Sequence, residues 1–386
     1  MTLPRIRQVI LQPTSACNLN CSYCYVPNRR QQTTMAEEVL GRTIRLVLES
    51  DLVQGNVEFL WHAGEPLMAG RAHYRAAARL LEQYNSRDIH IRKTIQTNAT
   101  LIDADWCDVF VDADFSIGVS IDGPADLHDQ TRRNWAGRGS HQQVMAGVTT
   151  LRSFGIQPGA ICVLTRASLQ RPREIFDFFV EHDFASVSFN VEEVENAHTS
   201  SSLDAADVVA EYRGFMSTLY DLWRENGYQP RIREFQSLAR LIDRKLHHPE
   251  FRRQPYETVP FAIITIQKEG NVSTFSPEFA GAVAPAYDNF VIGNITDIAT
   301  IEELVRSPAL AVIAAEVSSG VARCADSCLY FDLCGGGYVS NKYFEHHNLQ
   351  ATETTACRVH RQVLADVFIE KVSVRQPLSL RQTRSE

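Results

Sequence analysis

The strongest constraint on this 386-residue chain is an alternation that recurs between residues 7 and 226. A short apolar run is followed by a loop, then by a stretch whose apolar residues recur at helical spacing. The apolar runs fall at 7–14, 57–61, 90–97, 115–121, 159–165 and 186–191. The helical stretches fall at 35–50, 71–84, 103–111, 142–154, 172–182 and 204–225. In the first of them Met35, Val39, Leu40, Ile44, Val47 and Leu48 share one face. Strand–helix units in succession require parallel strands joined by right-handed crossovers. Six such units fall short of the eight that close a full barrel, so the expected fold class is α/β, an open partial (β/α)6 TIM-like barrel. Its reactive groups belong at the C-terminal ends of the strands, where the βα loops gather.

After Tyr228 the pattern changes. A hairpin-like stretch at 262–273 turns at Lys268-Glu-Gly-Asn, a loop-rich segment follows, then a helix near 358–372 and a polar tail. The expected division is 1–228 for the partial barrel and 229–386 for a smaller, cysteine-bearing domain.

Nine cysteines sit unevenly along the chain: Cys17, Cys21 and Cys24, then Cys324, Cys328, Cys334 and Cys357, with Cys107 and Cys162 apart. Tight cysteine groups in a reducing compartment indicate metal or catalysis rather than disulfides. Cys107 and Cys162 fall on apolar faces and read as core thiols. Lys plus Arg number 38 against 46 for Asp plus Glu, a formal charge of -8, which argues against a nucleic-acid partner. The sequence offers no uninterrupted apolar run of roughly 18–20 residues and no apolar N-terminal signal core. A cytoplasmic protein with no membrane partner is therefore expected.

Cys17-Asn-Leu-Asn-Cys21-Ser-Tyr-Cys24 follows the first strand directly. Three thiolates at this spacing suit three irons of a [4Fe-4S] cluster and leave the fourth iron open to a small molecule. Zinc is the alternative, but it favours C-x2-C pairs and four protein ligands. With Tyr23 before the last cysteine, the motif resembles that of the radical S-adenosylmethionine superfamily. The resemblance implies that the amino and carboxylate groups of S-adenosylmethionine chelate the open iron. It also implies reductive cleavage to a 5′-deoxyadenosyl radical that removes hydrogen from an unactivated carbon, with the electron supplied by a donor such as flavodoxin or ferredoxin.

Further matches stand at successive strand ends. Trp61-His-Ala-Gly-Glu-Pro66 is similar to the family's Gly-Gly-Glu-Pro element, with Ala63 in place of the first glycine. The resemblance makes Gly64 and Glu65 contacts to the cofactor's amino group, an ammonium needing acceptors. It likewise makes Asn98, in Gln96-Thr-Asn98, a neighbour of the cofactor, and Ser120 and Asp122, in Ser120-Ile-Asp122-Gly-Pro124, contacts to its ribose. Tyr23 completes the expected cofactor-binding set. Taken singly, each of these turns also reads as ordinary turn chemistry. His128-Asp-Gln-Thr-Arg132 and Gly139-Ser-His141 resemble a subset that modifies peptides and proteins, although His128 also reads as a loop histidine capping the segment after it.

Cys324, Cys328, Cys334 and Cys357 supply four thiolates, enough for a closed cluster or for structural zinc. Cys334-Gly-Gly-Gly-Tyr338 is read as backbone passing close to the metal. The region resembles a reduced SPASM extension, which in the family carries seven cysteines and two auxiliary [4Fe-4S] clusters. Position 275 is Phe, position 338 is Tyr, and no cysteine lies between Cys162 and Cys324. The resemblance therefore implies one auxiliary [4Fe-4S] cluster.

The same resemblance points to a maturase of ribosomally made precursor peptides. Within that group it is most similar to enzymes that form a cyclophane, joining an aromatic ring to a nearby side-chain carbon. The auxiliary cluster is then expected to accept the surplus electron. Alternatives are a thioether former, an epimerase, a sulfatase-type maturase, or a non-enzymatic iron–sulfur electron carrier. Glu278 and Asp288 are the candidate proton acceptors. No fused leader-binding module is expected before the first strand.

Overall fold

The computed structural model describes residues 4–373. The polar tail expected beyond the last helix lies outside the described residues, apart from its start. Six parallel strands form where the apolar runs predict them. They are β1 (Gln8–Gln12), β2 (Asn56–Trp61), β3 (His90–Thr97), β4 (Ser116–Ser120), β5 (Gly159–Leu164) and β6 (Ser186–Val191). They pair in sequence order, each with the next. Crossover helices intervene, among them Glu37–Glu49, Arg71–Tyr84, Ala104–Asp112, His141–Ser153 and Pro172–Glu181, with Val208–Glu225 following β6. In Glu37–Glu49 the buried stripe is Val39, Leu40, Thr43, Ile44 and Leu46–Leu48, which lays the helix against the sheet and against Arg71–Tyr84. Asp103 caps Ala104–Asp112 by accepting from the Trp106 amide at 3.0 Å.

The sheet has ten strands, in the order β10-β9-β8-β1-β2-β3-β4-β5-β6-β7. The four additions are β7 (Arg231–Ile232), β8 (Ile263–Gln267), β9 (Asn271–Thr274) and β10 (Gly293–Asn294). The predicted hairpin is β8–β9, but it does not stand apart. β8 lies parallel to β1 along its whole length, Gln8 opposite Ile263 through Gln12 opposite Gln267. The sheet thus runs on through the expected boundary at 228, and β1 becomes a central strand, buried at Val9, Ile10 and Leu11.

Two helices were not legible beforehand, Arg233–His247 and Pro308–Ser327. The second corrects the reading of a loop-rich cysteine segment, since Cys324 sits in its last turn and the Cys328 amide donates to the Cys324 carbonyl at 2.9 Å. Its 20 residues are the one described stretch apolar and long enough, by length and composition, to cross a membrane. In this fold its Ala309, Leu310, Ile313, Val317 and Gly320 are buried against the body.

The C-terminal helical segment, 355–373, docks on Val208–Glu225. Tyr212 Oη meets His360 Nδ1 at 2.6 Å, and Arg213 pairs with Asp366 and Glu370 at 3.0 and 2.8 Å. That docking carries Cys357 back to the earlier cysteines.

Candidate active site

The loop after β1 brings Cys17, Cys21 and Cys24 to one cavity of about 220 Å³ at the strand ends. Tyr23, Gly64, Asn98 and Ser120 line it with them. The loop is pinned from several sides. The Cys17 amide donates to the Arg29 carbonyl at 3.0 Å, the Ser22 amide to Thr131 at 2.9 Å, and Trp135 Nε1 to the Cys17 carbonyl at 2.8 Å. Burial pushes the Cys17 thiol well up, with Glu65 adding to the effect, and pushes Cys21 up to about 11 despite the cation of Arg132. Bare, these are neutral thiols; ligation to a metal is what would strip their protons. Among the described residues, no three His, Cys, Asp or Glu side chains converge as ligands of a single ion.

The cofactor set expected from the sequence separates into two layers. Gly64 stands at the cavity with φ +58°, and a Cβ there would lie 2.5 Å from the Ala16 carbonyl, so only glycine lets the β1 and β2 loops meet. Ala63 beside it also adopts a left-handed φ of 72°. Asn98 directs Nδ2 to Asn18 at 2.9 Å and toward Cys17 Sγ at 3.9 Å. Ser120 accepts from Gln96 Nε2 at 3.0 Å.

Glu65 does not line the cavity. It is fully buried, with Oε1 accepting from the Leu67 amide (3.0 Å) and Thr97 Oγ1 (2.7 Å), and Oε2 from the Asn98 amide (2.8 Å). These bonds clamp the β2 loop to the β3 loop. Burial raises its carboxyl to about 7 against the pull of the three donors. Asp122 is likewise buried and bonded within the protein. One oxygen accepts from the Val163 amide (3.0 Å), and the other from Tyr23 Oη (2.5 Å), Thr131 Oγ1 (3.3 Å) and Arg132 Nε (2.9 Å). It therefore orients Tyr23, over whose ring the Arg132 guanidinium sits at 5.3 Å. His128 is buried, taking the Asp122 amide on Nδ1 (3.3 Å) and meeting Ser140 Oγ through Nε2 (2.9 Å), a role that is structural.

Part of the cavity lining is acidic. Glu192, Glu193 and Glu195, just past β6, line it together with Glu278. Burial raises the carboxyls of Glu193, Glu195 and Glu278, and repulsion from Glu278 pushes Glu193 and Glu195 further up. The other candidate, Asp288, is exposed and lines none of this cavity. The Glu193–Glu195 pair is not among the residues singled out from the sequence, although its place directly after a strand was the available signal. The Tyr25 Oη contact with His62 Nε2 at 2.9 Å, where burial lowers the imidazole to about 4, is likewise a product of the fold.

Cys324, Cys328, Cys334 and Cys357 line a second pocket, with Tyr338, Lys342 and Arg361. The chemistry of this donor set, four thiols around one space, fits a closed cluster. The glycines of Cys334-Gly-Gly-Gly-Tyr338 have a different reason from the one expected. All three take positive φ, and Cβ atoms at 335 and 336 would strike the Arg253 carbonyl at 2.6 Å and Val321 Cγ2 at 2.9 Å, not the sulfurs. Phe275, at the position where a further cysteine would stand, is fully buried. Cys107 and Cys162 are buried, as their apolar settings predicted.

A partial barrel with three cysteines after its first strand defines a class, and the comparisons agree. The profile of the Radical SAM superfamily matches residues 11–179. The chain belongs to the radical SAM superfamily and is an enzyme of that class, and membership implies a [4Fe-4S] cluster and S-adenosylmethionine. Among its relatives, the uncharacterized protein sll1766 of Synechocystis sp. is 39% identical over 368 residues, covering 94% of this chain and 90% of that one. A cysteine-type anaerobic sulfatase-maturating enzyme of Clostridium perfringens is 28% identical over 253 residues, 62% of this chain and 67% of that one. Native anSMEcpe with bound AdoMet and Cp18Cys peptide shares the fold at a TM-score of 0.78 and 23% identity, over 95% of this chain and 97% of that one. Streptococcus suis SuiB bound to precursor peptide SuiA does so at 0.66 and 16%, over 92% and 76%.

Proposed function

We propose that this chain is a peptide maturase that cross-links an aromatic side chain to a nearby side-chain carbon of a ribosomally made precursor. The observation that carries the reading is the single complete auxiliary set, four cysteines on one pocket with Phe275 where a second set would begin. When bound, the cluster at Cys17, Cys21 and Cys24 with S-adenosylmethionine supplies removal of a hydrogen atom from an unactivated carbon, and the four-thiolate cluster supplies a one-electron sink. Tyr23, Gly64, Asn98 and Ser120 shape the cofactor end of the cavity, while Glu65 and Asp122 hold the loops that present them. Restoring aromaticity to a coupled ring releases a proton. Glu278, with Glu193 and Glu195, offers carboxylates on the same cavity to take it.

The test uses reduced, reconstituted enzyme with S-adenosylmethionine and the cognate peptide. The product should be lighter by two hydrogens per cross-link, and replacing every aromatic residue of the peptide should abolish the change. Loss of two hydrogens that survives this replacement sinks the reading. A second reading, oxidation of Cys or Ser in a sulfatase, is favoured by the identity to the Clostridium perfringens maturase. Turnover of an aromatic-free peptide bearing one cysteine or serine would establish it instead.

A further inference from the structure

Lys342 lies in the helix Val339–His346 and is only 3% exposed. An ammonium taken out of water needs an anion nearby, because its desolvation otherwise costs far more than a hydrogen bond returns. Among the described residues no carboxylate stands within ion-pair distance of Lys342. Its recorded partner is Cys324 Sγ, 3.5 Å from Nζ. A neutral thiol is a weak acceptor and cannot offset a buried cation. The site is built around the side chain: Nζ lies 3.3 Å from where a Cβ of Gly320 would stand, and Cε lies 3.8 Å from that of Gly337. A second cation faces the same pocket, Arg361, whose guanidinium sits 4.4 Å from the centre of the Tyr338 ring.

We infer that Lys342 is a positioning residue for charge at the four-cysteine site: its ammonium stabilises the electron-rich state of the cluster held there and raises that cluster's reduction potential. The inference rests on the proposed auxiliary cluster. Reduction adds one electron, from a substrate carbon in turnover or from dithionite in a titration, and needs no proton. A fixed cation bonded to a ligating sulfur favours the reduced form, whose negative charge is greater. The pocket thereby suits an acceptor.

The experiment uses the full chain carrying Cys17→Ala, Cys21→Ala and Cys24→Ala, so that iron and the electron paramagnetic resonance signal report the second site alone. Lys342→Met and Lys342→Arg are added to it, and midpoint potentials are read by dithionite titration with mediators. Lys342→Met should retain iron and shift the reduction equilibrium against the cluster by roughly ten- to hundredfold, while Lys342→Arg stays near the parent. Retained iron with an unshifted potential in Lys342→Met overturns the inference and leaves the auxiliary cluster standing. If Lys342→Met loses iron, retention in Lys342→Arg at the parent potential upholds the role of the charge, and loss in both overturns it. Zinc, or no iron, in the parent overturns the auxiliary cluster itself and the inference with it.

Discussion

Replacing Glu65 with Gln should change how the stability of the cofactor-free chain depends on pH. The carboxyl is fully buried, and burial raises it from the ordinary 4.5 to about 7. An acid raised in this way holds its proton more tightly in the fold than in the unfolded chain. Its contribution is therefore fully present below pH 4.5 and is lost as pH rises to 7, after which it is flat. A change of that size corresponds to about 3 kcal/mol. Gln fills the same space but does not titrate. Denaturant unfolding of both proteins, anaerobic and reduced, at intervals from pH 5 to 8 isolates the effect, because His62, Glu278 and the other titrating groups are common to both. The stability of the parent relative to Glu65→Gln should fall by about 2.5 kcal/mol across that range, the remainder having been lost below pH 5. Parallel profiles would refute the reasoning and mean that the three donors from Leu67, Thr97 and Asn98 keep the carboxylate ionised throughout.

Other outcomes follow from the same geometry. Joint replacement of Cys17, Cys21 and Cys24 by alanine should remove about four irons and leave about four, measured by iron analysis after anaerobic reconstitution; a total near twelve in the parent would contradict a single auxiliary set. Asp122→Asn leaves Arg132 buried beside a neutral partner and should cost about 3–5 kcal/mol in thermal or denaturant unfolding, with Asp122→Asn/Arg132→Met recovering part of the loss. Gly64→Ala must hold φ +58° and displace the Ala16 carbonyl, so a loss of at least about 1–2 kcal/mol is expected, together with weaker S-adenosylmethionine binding by calorimetry. Cys357→Ala should depress cross-link formation more than 5′-deoxyadenosine release, followed by chromatography of one reaction, provided circular dichroism shows the fold intact.

What the sequence determined by itself is local in its physics. Strand and helix periods are set by residues a few positions apart, and β1 to β6 with their crossover helices stand where those periods put them. Cys17, Cys21 and Cys24 lie within eight residues of one another, so one loop suffices to gather them. Helix Pro308–Ser327 was missed because Ala-rich, Ser- and Gly-containing helices have a weak stripe; what holds it is the burial of Ile313 and Val317 against distant chain. The place of β8 beside β1 was likewise invisible, since pairing partners some 250 residues apart leave no local trace. The division of labour at the cavity was decided only in three dimensions. Glu65 and Asp122 stand out in sequence as cofactor contacts, and what the fold adds is that each is buried and takes donors from Leu67, Thr97, Asn98, Tyr23 and Arg132. Glu193 and Glu195 join Glu278 on one cavity because the fold brings residues more than eighty positions apart to the same place, and Lys342 reaches Cys324 because separate helices are packed together.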